Sequence, residues 1–478
     1  MKCGKLALNK AVMSYIRKKP IRFHMPGHKG KGIPVEKRGF FINENIHKWD
    51  VTEIYGLDNL HEPSGPIKYS QERLAKLYGA DLSFFLVNGA SSGIEAILMS
   101  CLRPNQKIIL PRTCHKSIVS GIIMSGALPV YIIPEWDENL KTYTQVSLEK
   151  VKKAFCKNPG ITAALFVNPT YLGFCPDIRL ARKITNKYKS ILLVDEAHGP
   201  HFAFSHKLPK SAGQINADAW VQSPHKMLCS LTQSAWMHMK GCMIDPERLR
   251  QSINLVTTTS PSYILMASLD RTREIMEKRG KQLVEKALSM SESTRRKINA
   301  HTPFYCIGSE VKGDAFIHDI DLSRLVVNVS CAGYTGFEVE RLLRKKFNIS
   351  AEYADNSNIC FLVTFCNSPK EMKKLVYALS KFKKKKVLRQ PSLHFTRLPQ
   401  KALSPREAFF SDGEWVLLKY CTGRIVQKPI VVYPPGVPCL MPGEIIEEEH
   451  IEMVQQLLNC GISCEGLRDG KVLVTKKG

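Results

Sequence analysis

Three short stretches place reactive side chains directly after apolar runs. Lys226 closes Val221-Gln222-Ser223-Pro224-His225-Lys226, and Asp195 follows Leu192-Leu193-Val194. The third, Val87-Asn88-Gly89-Ala90-Ser91-Ser92-Gly93, leads from an apolar run into a helical pattern. A lysine sheltered from water loses its charge and becomes a nucleophile toward an aldehyde. A carboxylate fixed at a strand end can hold a protonated ring nitrogen. Free backbone N–H groups at a helix start, with Ser91 beside them, attract a phosphate. Singly, each has an ordinary explanation: a solvated lysine, an aspartate capping the next helix, a plain strand-to-helix turn. Together, each at a strand end, they fit a phosphorylated pyridine aldehyde, which is pyridoxal phosphate (PLP). Ser223 and His225 flank Lys226 and are further candidates for the phosphate.

The elements that must position these residues are legible as alternation. Apolar runs at Phe84–Val87, Lys107–Leu110, Leu128–Ile133, Ala163–Val167, Ile191–Val194 and Ala219–Gln222 predict strands. Between them lie helical patterns such as Arg179–Tyr188, long enough for parallel crossovers. The predicted fold class is α/β, a doubly wound, mostly parallel sheet whose ligands bind at the strands' C-terminal ends. Past Ser260 the pattern changes. Tyr263–Lys297 predicts one or two long helices, and Leu325–Ser330 and Ile359–Phe365 predict strands flanking a helix at Glu338–Lys346. The expected division is an N-terminal arm and helix (1–60), a major cofactor domain (61–260), long helices with a small α+β domain (261–386), and a C-terminal α+β domain (387–478). There are no internal repeats.

At 478 residues the chain has room for about three domains. Its 44% apolar and 23% charged residues are ordinary for a globular protein. No stretch predicts a membrane span: the longest, Gly121–Ile133, is interrupted by Ser125 and Pro129 and falls short of the ~20 residues required. Lys5–Lys18 predicts an amphipathic helix rather than a secretory signal. The 15 scattered cysteines suit reduced thiols and a cytoplasmic location, and Cys460 and Cys464 lack a second pair for zinc, so no metal site is expected. The net charge of +26 describes encounter rather than fold. Its densest run, Lys381–Lys386, predicts a solvated interdomain linker, and no nucleic-acid module accompanies it.

Asp195–His198 and Ser223–Lys226 resemble the cofactor motifs of fold-type-I PLP enzymes. More narrowly, the chain resembles the ornithine/lysine/arginine decarboxylase family in its shorter form, without an N-terminal receiver-like domain. The stretches that carry the resemblance are Phe23-His24-Met25-Pro26-Gly27-His28-Lys29, Leu57-Asp58-Asn59-Leu60-His61, Pro111-Arg112-Thr113-Cys114-His115-Lys116-Ser117 and Asn168-Pro169-Thr170-Tyr171. Leu231-Thr232-Gln233-Ser234, Thr257–Tyr263, Tyr433-Pro434-Pro435-Gly436 and Pro442-Gly443-Glu444 extend it through nearly the whole chain. The resemblance implies that Lys226 is the Schiff-base lysine, that Asp195 pairs with the pyridine nitrogen and that His115 stacks on the ring. It implies that Ala90, Ser91, Ser223 and His225 surround the phosphate, that Ala197 underlies the opposite ring face and that His198 has a supporting role. It further implies that Thr259-Ser260 reaches a neighbouring subunit's cofactor, and hence at least a homodimer. Pro224 departs from the pattern and removes one backbone donor.

The implied reaction is decarboxylation of a basic amino acid, arginine before lysine or ornithine, giving agmatine for polyamine synthesis. Electrons flow toward the ring nitrogen held by Asp195, and Lys226 or His115 returns a proton. Glu352 is a candidate for the substrate's distal cation, with a surface acid as its ordinary explanation. The rival within enzymes is an aminotransferase or another PLP lyase. An aminotransferase pins the substrate carboxylate with an arginine; Arg324 and Arg344 are available by type, though neither sits in a motif for that task. The rival outside enzymology is a basic protein binding nucleic acid on a PLP fold, and intact Lys226, Asp195 and His115 argue against it.

Overall fold

The central strands are almost continuously apolar because both of their faces are buried. In the computed structural model, which describes residues 21–23, 58–313, 316–386, 397–433, 437–459 and 463–476, Leu192 and Val194 enter one hydrophobic cluster while Ile191 and Leu193 enter the other. That is the arrangement expected of a sheet covered by helices on both sides. The helix expected at Lys5–Lys18, the stretch from His24 to Lys29, Pro434–Gly436 and Cys460 lie outside the described residues.

The main sheet has strands β1 (Leu82–Leu86), β2 (Lys107–Pro111), β3 (Leu128–Ile132), β4 (Ile161–Val167), β5 (Ile191–Asp195), β6 (Ala219–Gln222) and β7 (Ala235–Met239). Their spatial order is β1-β7-β6-β5-β4-β2-β3. Strands β6, β5, β4, β2 and β3 pair in parallel, whereas β7 is antiparallel to both β6 and β1. The mostly parallel expectation holds, with β7 as an element the sequence reading did not include.

Helices α1 (Pro66–Tyr78), α2 (Gly89–Cys101), α3 (Lys116–Ser125), α4 (Leu148–Lys157), α5 (Ile178–Lys187), the single turn α6 (Pro224–Met227) and α7 (Pro246–Val256) belong with this sheet. Helix α2 lies very close to it. A Cβ on Gly93 would stand 2.6 Å from Leu86 Cδ1, so a side chain there would push the helix start away from the strand ends.

Tyr263–His301 forms one uninterrupted helix of 39 residues, α8. Its first part packs Met266, Met276 and Leu283 into the main core, and Ile298 enters the core of the smaller sheet. At Gly280 a Cβ would meet Phe204 Cδ1 at 2.4 Å, so α8 rides directly on that ring.

The smaller sheet contains β8 (Tyr305–Cys306), β9 (Arg324–Asn328), β10 (Tyr353–Ala354) and β11 (Asn358–Leu362), ordered β8-β9-β11-β10 and antiparallel throughout. Helices α9 (Gly336–Leu342), continued by a π turn at Leu343–Phe347, and α10 (Pro369–Ser380) cover it. Phe23 is fully buried here, edge-on to Phe361. The lysine run 381–386 is exposed apart from Phe382, but its backbone is tied down: Lys385 N–H donates to the Ala332 carbonyl, and Tyr334 Oη donates to the Lys383 carbonyl. Its side chains are solvated as expected, while its course is fixed along the smaller sheet's core.

The C-terminal segment adds α11 (Pro405–Phe410), β12 (Gly413–Leu417), β13 (Ile430–Tyr433), β14 (Val437–Leu440), α12 (Glu448–Asn459), β15 (Ser463–Glu465), β16 (Leu467–Arg468) and β17 (Lys471–Thr475). They make two three-stranded sheets, β12-β17-β16 and β14-β13-β15, around a core that includes Val426, Ile446, Val454 and Val472. Met441 leaves this segment to enter the main core. Among the described residues no helix is long and apolar enough to cross a membrane.

Candidate active site

The C-terminal ends of β1, β2, β4, β5 and β6 converge on one edge of the main sheet and carry most of the expected site residues. Ala197 N–H donates to Asp195 Oδ1 at 3.1 Å, which fixes the carboxylate of a residue only 7% exposed. Ser223 N–H donates to the Ala197 carbonyl at 3.1 Å, tying the loop after β5 to the loop after β6. Lys226 follows on α6, which Pro224 opens at its first turn, where a missing N–H costs no helical bond. The departure at Pro224 is therefore accommodated locally.

Lys226 Nζ lies 2.9 Å from His198 Nε2. Burial pulls the ammonium below its usual range against the pull of Asp195 and Glu352, and burial with the neighbouring lysine pulls His198 far down. The pair therefore favours a neutral imidazole beside an amine that gives up its proton readily. His198 Nδ1 is buried and has no partner among the described residues. Sequence reasoning gave His198 a minor place; the structure puts it in direct contact with the Lys226 amine.

His115 caps α3. Its Nδ1 accepts from Ser117 N–H at 3.2 Å and lies 2.9 Å from Ser117 Oγ, so the neutral ring carries its proton on Nε2. Burial, then the charge of Lys226, holds its pKa below the ordinary histidine value. His225 Nδ1 donates to the Ser234 carbonyl at 2.8 Å, which sets the plane of that ring. At the start of α2, Asn88 provides no side-chain cap and instead donates to the Val256 carbonyl. Ala90 is half-buried and Ser91 exposed, and the Ser223 hydroxyl does not cap α6. These uncapped N–H and hydroxyl groups suit a phosphate, and the buried amine and fixed carboxylate suit an aldehyde-bearing pyridine. Thr259 and Ser260 are exposed beyond α7.

Glu352, half-buried between the elements of the smaller sheet, accepts from Tyr171 Oη at 2.6 Å. Tyr171 packs edge-on to His198 at 5.0 Å. The carboxylate is thus part of the same cleft and not a surface helix-end acid. Arg324 is different from its expected use. Its Nε meets Asp321 at 3.1 Å, its Nη1 donates to the Tyr171 carbonyl at 2.5 Å and its Nη2 to the His198 carbonyl at 3.4 Å. It braces the walls of the cleft. Arg344 is exposed and pairs with Glu340. Both arginines weighed for a substrate carboxylate are thus committed to protein partners.

Behind Asp195, Glu196 is fully buried and accepts from Gln222 Nε2 at 2.7 Å, Ala212 N–H at 2.7 Å and Asn168 Nδ2 at 3.3 Å. Burial outweighs these donors and raises its pKa to about 8. A carboxyl raised in the folded state binds its proton more tightly there than when unfolded. Its stabilising contribution is complete below about pH 4.3 and is lost as pH rises through about 8. Glu196→Gln is expected to flatten the fall in stability between pH 5 and 8 seen by urea denaturation; an unchanged slope would refute the assignment.

Residues 7–321 match the profile of the Orn/Lys/Arg decarboxylase major domain, and residues 389–462 match that of its C-terminal domain. The chain belongs to the Orn/Lys/Arg decarboxylase family. This decarboxylase is 38% identical to the arginine decarboxylase of Bacillus subtilis over 458 residues, covering 95% of this chain and 93% of that protein. It is also 38% identical to the arginine decarboxylase of Bacillus anthracis, covering 96% and 94%. The inducible lysine decarboxylase of Escherichia coli is 26% identical, covering 96% of this chain and 78% of that protein. In fold, it resembles the lysine decarboxylase of Francisella novicida with a TM-score of 0.78 at 20% identity, over 98% of this chain and 84% of that chain.

Proposed function

We propose that this decarboxylase uses PLP to convert arginine to agmatine for polyamine synthesis, working in the cytoplasm as at least a homodimer. The observation that carries the substrate is the Glu352–Tyr171 pair, which fixes a carboxylate near enough to Lys226 for its charge to act there. Relatives named arginine decarboxylase at 37–38% identity over nearly the whole chain support the same choice. Lysine carries a similar distal cation, and the lysine decarboxylase relatives make it the second reading. The described cysteines are all free thiols, which suits a reducing compartment. The exposed Thr259-Ser260 stretch suits a reach into a neighbouring subunit.

Lys226 would hold the cofactor's aldehyde and Asp195 its ring nitrogen. His115 and Ala197 would face the two sides of the ring, and Ala90, Ser91, Ser223 and His225 would surround its phosphate. When bound, the cofactor supplies an electron sink for the bond that loses carbon dioxide. The chain's own residues do the rest. Burial of the cleft excludes water and keeps Lys226 poised to pass a proton, while His198 holds its amine in place. Glu352 fixes the far end of the substrate, so that its carboxylate is oriented rather than held by an arginine that would oppose its loss.

The test is release of carbon dioxide and amine from PLP-loaded protein given arginine, lysine and ornithine separately. Agmatine from arginine is the expected product. Silence with all three, despite bound cofactor, would sink the proposal. Glu352→Gln is expected to raise KM for arginine about ten- to hundred-fold, the loss of one charge-assisted contact, with a much smaller change in kcat. An unchanged KM would remove Glu352 from the substrate site.

A further inference from the structure

The turn that carries His115 is gripped at both ends by the C-terminal segment. On one side, Arg112 is fully buried and bound to Glu444 through both nitrogens, Nη1–Oε1 at 2.5 Å and Nη2–Oε2 at 2.7 Å. Arg112 Nη2 also donates to the Cys439 carbonyl at 2.9 Å. On the other side, Lys116 Nζ meets both carboxylate oxygens of Glu465, at 2.8 and 3.1 Å, with each side chain about half exposed. Between these anchors stand Thr113, Cys114 and His115. The turn is also held by Arg112 N–H on the Ile132 carbonyl, Cys114 N–H on the Pro111 carbonyl, Ile118 N–H on the His115 carbonyl and Ser117 N–H on His115 Nδ1. Neither ion pair is needed to form β2 or α3, since both reach across to a separately cored unit.

We infer that the C-terminal segment positions His115 in the active site, with Glu465 and Glu444 as positioning residues that act through Lys116 and Arg112. This rests on the reading that His115 faces the cofactor. A ring that stacks must keep its plane; Ser117 holds His115 Nδ1 at the start of α3, so the ring's position follows that helix start and the turn before it, which the two grips anchor. The buried grip fixes where the turn leaves β2. The exposed grip fixes where it enters α3, one residue after His115, so a slack Lys116 lets the ring swing about its own cap. The C-terminal unit thereby becomes a working part of a site built otherwise on the main sheet and the smaller one.

The test uses the holoenzyme with Lys116→Glu, Glu465→Lys and the double charge swap. The readouts are visible absorbance and circular dichroism of bound cofactor, its rate of loss into cofactor-free buffer, and the thermal midpoint. A half-exposed ion pair sets the scale: each single reversal should speed cofactor loss about three- to five-fold and alter the dichroism. The double variant should return to within about two-fold of wild type, and the thermal midpoints should stay together. The difference should fade at 1 M salt, where the Debye length is about 3 Å. If a reversal folds poorly, Glu465→Gln carries the same expectation at the lower end of that range. Wild-type cofactor signals in both single variants, or a swap that restores nothing, would overturn the inference while leaving the cofactor reading intact. No cofactor absorbance in the wild type would overturn both.

Discussion

Lys226→Ala is expected to lower kcat for amine release by roughly a thousand-fold or more while leaving the fold in place. On the proposed reading the same nitrogen would have two duties, anchoring the cofactor's aldehyde and passing the proton that finishes the reaction, so no neighbour would replace it fully. His198 is 2.9 Å away but is held neutral by burial and by the lysine's own charge. Lys226→Arg should fail equally, because a guanidinium keeps its proton and is no nucleophile. Borohydride reduction of the wild-type holoenzyme followed by peptide mass mapping should place the cofactor on Lys226, and the alanine variant should show no fixed cofactor. The thermal midpoint of cofactor-free protein should be unchanged or higher, since burial already disfavours the lysine's charge in the fold. Turnover within ten-fold of wild type would show that another amine carries the chemistry.

The largest effect on stability is expected from Glu444→Ala. That change takes the bidentate carboxylate partner from the fully buried Arg112 guanidinium, and it also removes the acceptor of Met441 N–H. Breaking one side of a buried pair costs about 3–5 kcal/mol, mostly because the surviving charge has lost its compensation. Exchanging both partners for apolar residues, Arg112→Met with Glu444→Leu, should cost much less for the same reason. Calorimetry should show an earlier transition in Glu444→Ala, assignable to separation of the C-terminal segment, and a smaller one in the double variant. A midpoint within about 1 °C of wild type would mean that water reaches the pair and screens it.

Short apolar runs made most of the main sheet legible. Residues such as Ile108 and Ile109, or Leu192 and Leu193, have no polar choice because opposite faces meet different cores. Strand β7 was not legible. Ala235-Trp236-Met237-His238-Met239 holds a histidine, and its place depends on antiparallel pairing with β1, about 150 residues earlier. The proposed cofactor edge drew notice in the sequence because Asp195 and Lys226 each sit beside the strand that presents them. At the proposed substrate end Glu352 could be named but not told from a surface acid, and the inter-unit anchors were not legible. Glu352 acquires meaning from Tyr171, 181 residues away, and Arg112 from Glu444, 332 residues away. Arg324 was available by type alone: its fork is spent on Asp321 and two carbonyls, partners 3 to 153 residues away in sequence.

The unbroken helix α8 turns the cleft into an instrument with a lever. It is fulcrumed where Gly280 rides on Phe204, and Ile298 near its far end is rooted in the core that carries Glu352. At ~1.5 Å per residue, the arm from Gly280 to His301 is ~32 Å long, so a tilt of about 1° carries its tip through ~0.5 Å. Reacting groups tolerate errors of about that size before rates fall steeply. The stiffness of one helix, far from any reacting atom, thus sets the mechanical tolerance between the two halves of the cleft.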